Sequence, residues 1–231
     1  MTTSAVTRLV SGATREALRP LGLRQRGRSR TWIDDRSWWL IVVEFQPSSW
    51  SSGTYLNVGV NWLWWAKDHL SFDEGYRVRW ATNPVRIDDS AERTTDHLAY
   101  RDDEQFGTDI RGVVALAAQR VCQLRERFAG LDTVASQLNS SVPADDQGWP
   151  AYHAGVAAGL TGDLPVARAR LERVASGEPT TPGHLDLVHQ ARELRELVSH
   201  EQAFRGHLRT VVNQARTRLK LDPAIPARLP F

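Results

Sequence analysis

Polar side chains recur at two-residue intervals inside two apolar segments and a third, mixed segment. They are Glu44 and Gln46, Tyr55 and Asn57, and Arg77 and Arg79. Because successive side chains of a β-strand point to opposite faces, each pair would lie on one face of its strand. These carboxylate, amide, phenol and guanidinium groups could bind a small polar ligand, or could support acid–base chemistry with Glu44 as the titrating group. A small-molecule site or an active site on this face is therefore one hypothesis.

Motifs of phosphate, metal or nucleophilic chemistry are absent from the sequence. Neither the dinucleotide-binding nor the P-loop glycine pattern occurs. The segment "HEQAFRGH" (200–207) has Phe204 where a metalloprotease helix needs its second histidine. Cys122 falls on the apolar stripe of a predicted helix, where we expect a buried, inert thiol. We therefore predict no catalytic residue, no metal ligand and no cofactor, and we favour a protein that is not an enzyme.

Trp50 differs from the other tryptophans in its surroundings. Six of the nine tryptophans lie between residues 37 and 65, and five of these six belong to apolar segments. Trp50 instead lies in the serine-rich loop "PSSWSSG" (47–53). An exposed loop tryptophan is a typical anchor for a protein partner, although it could also fold back on a sheet. We predict that Trp50 contributes to a surface for a protein partner or for self-association.

Composition and charge are those of an ordinary globular chain. Of the 231 residues, 41% are hydrophobic and 24% are charged, and the net charge is +2. The run Arg24, Arg26, Arg28 and Arg30 could contact phosphate, so weak nucleic-acid binding is a further alternative. We favour it less, because all of the 29 basic residues except two lysines are arginine, which indicates a bias of the whole chain.

The cellular location is predicted from what the chain lacks. A single cysteine excludes an internal disulfide, which is typical of a reducing compartment. The first twenty residues lack the continuous apolar core of a signal peptide. No apolar run approaches the roughly 20 residues that cross a bilayer. We expect a cytoplasmic protein without a membrane partner.

A period-two hydrophobic pattern between about residues 30 and 81 predicts an antiparallel sheet. We place strands near 29–34, 37–46, 55–65 and 75–81. Two apolar rows must share one core face, and this requirement determines the parity of the register between the two strands. The first row is Trp39, Ile41, Val43 and Phe45, and the second is Leu56, Val58, Val60, Trp62 and Trp64. Most tryptophans are then core residues. The opposite face carries the polar pairs and, at its far end, Trp38 and Trp65, and it is either covered by a helix, solvated, or open to a partner or ligand.

Helical periodicity follows the predicted sheet. One apolar stripe runs from Ile110 to Phe128, and "NSSVPADDQGWP" (139–150) has the composition of a linker. We predict an α+β domain over residues 1–140, a linker over 141–150, and a helical region over 151–231 that ends in a proline-rich tail. The predicted fold class is α+β, with an antiparallel sheet of four or more strands and packed helices, followed by an α-helical C-terminal region.

Two stretches resemble known families. The order "LGLRQRGRSRTWID", a strand ending "EFQPSS", and then "YLNVGV" resembles the bacterial family called domain of unknown function 4304, over roughly residues 5–130. That resemblance implies a shared fold but supplies no activity and no catalytic residue. "AYHAGVAAGLTGDLPVARARLERVASGEP" (151–179) resembles one tetratricopeptide unit, with Gly162-Asp163 as the turn between its two helices.

These observations favour a non-enzymatic, cytoplasmic binding module. A partner-neutralising role, such as that of an immunity protein, belongs to this class. The alternatives are a small-molecule-binding protein or enzyme that uses the polar sheet face, and a weak nucleic-acid binder that uses the arginine run.

Overall fold

The computed structural model describes residues 5–81, 94–223 and 229–231. Within these ranges the chain forms eight strands and seven helices. The strands are β1 (Arg24–Gln25), β2 (Thr31–Asp35), β3 (Trp39–Pro47), β4 (Gly53–Trp62), β5 (Glu74–Arg77), β6 (Trp80–Ala81), β7 (Thr94–Thr95) and β8 (His97–Ala99). The helices are α1 (Ala5–Leu18), α2 (Asp103–Arg127), α3 (Leu131–Ser141), α4 (Trp149–Thr161), α5 (Leu164–Ala175), α6 (Pro182–Leu197) and α7 (Glu201–Arg218). The predicted α+β fold class is confirmed.

The described strands build a six-stranded antiparallel sheet in the order β1-β2-β3-β4-β5, and β8 also pairs with β4. Strand β3 lies along one side of β4. The other side of β4 is shared by β5, with Asn57 opposite Arg77, and by β8, with Tyr55 opposite His97. Two predicted strands are shorter than expected. The strand placed at 55–65 ends at Trp62, and the strand placed at 75–81 is split between β5 and β6, which pairs with β7 in a separate sheet.

The predicted parity of the two central apolar rows is confirmed. The indole rings of Trp39 and Trp62 lie on the same side, with centroids 5.9 Å apart. The ring of Phe128 meets both of them edge-on, at 6.0 and 5.3 Å. All three side chains are buried. Edge-to-face aromatic contacts add to the free energy of burial, so these three side chains stabilise one another.

Trp38 does not lie on the opposite face, where the alternation placed it. Ser37 has a left-handed backbone with φ of 79°, so β3 begins only at Trp39 and the alternation does not extend to Trp38. The Trp38 ring instead stacks on Trp62 and Trp64, at 5.9 and 5.4 Å. Trp62 and Trp64 stack on each other at 4.8 Å, although Trp64 lies in a turn after β4. Most tryptophans are core residues, as predicted.

The opposite face of the sheet is covered along much of β3 and β4. Leu40 and Val42 are buried on this face, and so are Asn57, Gly59 and Asn61. An open groove along the centre of this face is therefore excluded. The polar side chains that remain partly accessible lie toward the end at which the β3–β4 loop begins.

The chain divides into two compact units. The first comprises residues 1–36, 40–61 and 74–124, and the second comprises 37–39, 62–73 and 125–231. This partition differs from the predicted division at residue 140, because the segment 62–73 and helix α3 belong to the second unit. The predicted linker corresponds to a seven-residue loop, 142–148, between α3 and α4.

Helix packing organises the second unit. Helices α4 and α5 form a tight hairpin, in which Gly162 adopts a left-handed φ of 87° and the Asp163 side chain caps α5 by accepting from Val166 N–H. The backbones approach closely at Gly155, where a Cβ would lie 3.0 Å from that of Arg170. Helix α5 also packs on α6, and α3 on α4. Residues 224–228 of the proline-rich tail lie outside the described residues.

Candidate functional site

The predicted polar residues of β3, β4 and β5 meet in one hydrogen-bonded cluster. The buried Asn57 amide donates to Glu44 Oε2 at 2.9 Å and to Gln46 Oε1 at 3.1 Å. In return, Asn57 Oδ1 accepts from Arg77 Nε at 2.8 Å. Both N–H groups and the carbonyl of this amide are thus satisfied, as a buried amide requires. The partners of Gln46 and Asn57 are thus neighbouring side chains.

Arg77 holds the accessible side of this cluster. Its Nη2 donates to Gln46 Oε1 at 2.9 Å, and its guanidinium carbon lies 4.0 Å from the centre of the Tyr55 ring. Nη1 forms an ion pair with Asp96 at 3.5 Å. The structure therefore brings together five of the six polar residues predicted to share this face. Arg79 is the exception, because it lies beyond the end of β5 and is exposed.

Trp50 is the most exposed large apolar side chain among the described residues, with 93% of its surface accessible. Its loop is nonetheless organised, since Ser48 Oγ accepts from the backbone N–H groups of Trp50 and Ser51 at 3.2 and 3.3 Å. Such side-chain-to-backbone bonds fix a turn without any contact from the ring. The indole is thus presented to solvent by an ordered hairpin loop and does not fold back on the sheet.

The arginine run is not a continuous basic strip. Arg30 is half-buried, and its Nη2 donates to Thr7 Oγ1 in α1. Burial lowers the pKa of this guanidinium below its ordinary value. The backbone carbonyl of Arg26 accepts from Ser29, so Arg26 belongs to a turn. Arg24 and Arg28 are exposed.

Cys122 is exposed, so the expectation of a buried thiol was wrong. It follows the buried Val121 by one residue, and one residue turns a helix by about 100°, which carries Cys122 off the apolar stripe.

A second cluster, which sequence reasoning missed, lies in the second unit. Asp73 returns to the end of β4 and accepts from the Trp62 backbone N–H at 2.8 Å. Its other oxygen accepts from Lys67 Nζ at 2.6 Å and from Ser71 Oγ at 2.9 Å. The side chains of Lys67 and Asp73 are each only 8% exposed. This is a buried, multiply hydrogen-bonded ion pair, the arrangement that a charge needs in a protein interior.

The ionisation of Asp73 reflects these contacts. Burial by itself would raise the pKa of its carboxyl. The charge that His153 acquires in acid, the Lys67 ammonium, and the hydrogen bonds from Lys67 and Trp62 more than offset burial, and hold that pKa below its ordinary value. The carboxylate is therefore the stable form whenever Lys67 is in place.

His153 completes this buried centre from helix α4. Its Nδ1 accepts from the Trp64 indole N–H at 2.9 Å, which places the proton of the neutral ring on Nε2. Nε2 lies 3.9 Å from Asp73 Oδ1 and has no hydrogen-bond partner among the described residues. Burial lowers the pKa of His153 to about 4; nearby Asp73 opposes this shift and Lys67 adds to it. The imidazole is therefore neutral at physiological pH.

A cavity of about 1070 Å³ opens beside this centre, within the second unit. Lys67 and Asp73 line it together with the aromatic side chains of Trp65, Phe72 and Trp149. Gln190 also borders the cavity, and its Oε1 lies 3.2 Å from the hydroxyl of the buried Tyr152. Apolar walls with a few convergent polar groups are the usual composition of a small-molecule pocket.

Two features of the sequence point to this centre. His153 is the one strongly polar side chain in the run "AYHAGVAAGL" (151–160), and all ten of these residues are buried in α4. A polar side chain within so apolar a helix requires a buried partner. Lys67 is one of only two lysines in an arginine-rich chain. Neither feature identifies Asp73 or the cavity.

Comparisons with protein-family models, with curated proteins and with solved structures found no match for this chain. In the parts of the chain that the structure describes, no three or more His, Cys, Asp or Glu side chains are grouped so as to hold a metal ion. None of the described helices is both long and apolar enough to span a bilayer.

Proposed function

We propose that this chain is a non-enzymatic binding module whose protein partner contacts the loop that carries Trp50. The observation that carries this proposal is the 93% exposure of a tryptophan on an ordered hairpin loop. Exposing a large aromatic ring to water is unfavourable, whereas covering it in a complex recovers the free energy of burial. Rigid presentation by the Ser48 turn lowers the entropy lost on binding.

The cluster around Asn57 supports a binding scaffold more than an active site. Glu44, Gln46, Asn57 and Arg77 are linked by hydrogen bonds to one another, so the cluster braces the strands β3, β4 and β5. A reacting group, in contrast, needs an accessible donor or acceptor for the substrate. This favours the module over an enzyme or ligand site on the same face.

The alternative of nucleic-acid binding through the arginine run has less support. Arg30 is directed to Thr7, so this member of the run does not extend into solvent with the exposed Arg24 and Arg28. A cytoplasmic location and a partner-neutralising role fit the proposal. We also propose that the first part of the chain is related to the family called domain of unknown function 4304, and that the α4–α5 hairpin is related to a tetratricopeptide unit.

Site-specific photocrosslinking tests the proposal. A photoreactive phenylalanine analogue at position 50 of the full chain, expressed in its native cells, should crosslink one protein reproducibly. The same analogue at Tyr76, an aromatic position with 54% exposure on β5, is the matched control. With the purified partner, Trp50→Ala should weaken binding by about thirtyfold or more, as expected for a hot-spot tryptophan, whereas Tyr76→Ala should change it less than about twofold.

Two results would overturn the proposal. One is the absence of any crosslink at position 50 beyond those at position 76. The other is an unchanged affinity of Trp50→Ala for the partner. A crosslink between two copies of this chain, with a matching change in sedimentation, would identify the partner as a second copy and would support self-association.

A further inference from the structure

We propose that the cavity beside Lys67 and Asp73 binds an uncharged planar heterocycle of the nucleobase or nucleoside type. The inference concerns the second unit alone and does not depend on the partner proposed for Trp50. Four observations carry it: a buried ion pair at the cavity wall, an incomplete set of hydrogen bonds, an aromatic corner, and the balance of charges around the opening.

The ion pair is placed where a ligand can reach it. Lys67 and Asp73 are each 8% exposed, yet both border the cavity. Buried ion pairs are weak contributors to stability, since apolar residues of similar size often replace them without loss. A buried pair at the wall of a cavity is therefore better explained by recognition of a polar group than by stabilisation of the fold.

Hydrogen bonds at this wall are incomplete without a ligand. Of the three N–H groups of Lys67, Ser71 Oγ takes one at 2.5 Å and Asp73 Oδ1 takes another at 2.6 Å. The third can donate to a carbonyl oxygen in the cavity. Behind the pair, the buried Nε2 of His153 has no partner among the described residues and lies 3.9 Å from the same Asp73 oxygen. A buried donor without a partner is unfavourable, so an unsatisfied N–H group lies directly behind the cavity wall that Asp73 forms.

The aromatic side chains at the cavity wall favour a planar ligand that can stack on them. Trp65 and Trp149 meet edge-on, with centroids 4.2 Å apart and ring planes at 86°, and both line the cavity. Trp149 is only half-buried, so part of its ring remains available for stacking. Lys67 Nζ lies over the Trp149 ring, 5.8 Å from its centre, so a ligand that contacts the exposed part of this ring would also lie near the ammonium.

The charged side chains around the cavity nearly balance, which favours an uncharged ligand. The carboxylates of Asp68, Asp73 and Asp186 border the cavity, against the cations of Lys67 and Arg218. This balance does not favour a phosphate dianion. The Oε1 atom of Gln190 and the Asp186 carboxylate can instead accept from ring or exocyclic N–H groups. A carbonyl acceptor, N–H donors and a flat ring occur together in nucleobases and their nucleosides.

Titration of the purified full chain with uracil, cytosine, adenine, guanine and their nucleosides tests the inference. At least one should bind with a dissociation constant of about 1 mM or tighter, change the tryptophan fluorescence, and raise the melting temperature. Trp149→Ala and Lys67→Met should each weaken that binding tenfold or more. Lys220→Met, which alters the other lysine of the chain, should leave it unchanged.

Folding must be separated from binding in these variants. Lys67→Met leaves Asp73 without its cation, so its melting temperature and circular dichroism are measured first. Trp149→Ala changes a half-buried ring and carries the test if Lys67→Met does not fold. The inference is overturned if no probe binds at 1 mM, if Trp149→Ala binds as the parent does, or if nucleoside monophosphates bind more tightly than nucleosides. Loss of Trp50 should leave ligand binding intact, which distinguishes this site from the partner surface.

Discussion

The indole N–H of Trp64 donates to Nδ1 of His153 at 2.9 Å, and both side chains are buried. This bond joins the turn after β4 to helix α4 inside the second unit. It also fixes the imidazole tautomer, so that the proton is on Nε2, 3.9 Å from Asp73 Oδ1. The chemical state of the buried centre therefore depends on a tryptophan that a hydrophobic pattern alone would describe as core filling.

Removing this donor should destabilise the protein. Trp64→Phe keeps an aromatic ring but leaves Nδ1 of His153 without its partner, and it also creates a small cavity. We expect the free energy of unfolding to fall by about 2–4 kcal/mol. Urea denaturation measures it, with Trp50→Phe as the exposed control at less than about 0.5 kcal/mol. Equal effects of the two substitutions would contradict the assigned hydrogen bond.

His153 should make stability depend on pH. The pKa of its imidazole is about 4 in the folded protein and about 6.5 when unfolded, so between these values the unfolded chain binds more protons. The free energy of unfolding should therefore fall as pH decreases from about 6.5 to about 4, by up to about 3 kcal/mol. Asp73, whose folded pKa is lowered, would cause a further loss at still lower pH.

Two measurements check this pH dependence. Denaturation between pH 4.5 and 7 should give a clear slope for the parent, and His153→Gln should flatten it. In NMR spectra the His153 ring should remain neutral until about pH 4. A His153 ring that becomes charged at pH 6 would refute its assigned burial.

Asn57 should be essential for the packing of β4 against its neighbours β3 and β5. Asn57→Ala removes one acceptor and two donors, and leaves the Nε–H of Arg77 and the Oε1 atom of Gln46 with fewer partners. We expect a loss of about 2–4 kcal/mol in the free energy of unfolding. Asn213→Ala on the exposed side of α7 is the control and should change it by less than about 0.5 kcal/mol. If the cluster around Asn57 were a solvated ligand site, the two substitutions would have similar effects.

Two helical glycines should respond in opposite directions to alanine. A Cβ at Gly159 would lie 2.7 Å from Cζ of Phe204, whose ring is buried and cannot move away easily. Gly159→Ala should therefore cost about 1–3 kcal/mol. Gly206 in α7 has no atom within 4 Å of an added Cβ, so Gly206→Ala should stabilise by about 0.5–1 kcal/mol. Thermal melting of the two variants measures both effects, and a stabilised Gly159→Ala would contradict the packing of α4 against Phe204.

The sequence could predict which side chains lie together wherever a regular two-residue alternation assigns each residue to one face of a strand. Alternation along β3 and β4 predicted that Trp39 and Trp62 share a face, because a one-residue slip would expose a complete apolar row. The same rule placed Glu44, Gln46 and Asn57 side by side. The alternation failed at Trp38, where the left-handed Ser37 interrupts the period. Trp64 lies beyond the end of β4 but still stacks on Trp62 in the core, as its place in the apolar row predicted.

The buried Lys67–Asp73–His153 centre could not be predicted in the same way. Lys67 and Asp73 lie in a segment without helix or strand, where no period relates side chains to faces. His153 lies in a helix that is apolar on every side, so its burial was predictable from composition but its partner was not. The contact depends on tertiary packing between segments that are distant in sequence.

The arrangement of the strands limits how another polypeptide can attach to this sheet. The side of β4 that faces away from β3 is paired along most of its length. In order along the strand, β4 pairs with β8, accepts a bond from Val78 N–H at the Leu56 carbonyl, and pairs with β5. Each described strand at the sheet's margins, β1, β5 or β8, has four residues or fewer. Edge strands this short offer few backbone N–H and C=O groups with which a strand of another polypeptide could pair. Recognition of this protein should therefore rely on its side chains, and the sheet should resist the strand-by-strand stacking that leads to fibrils.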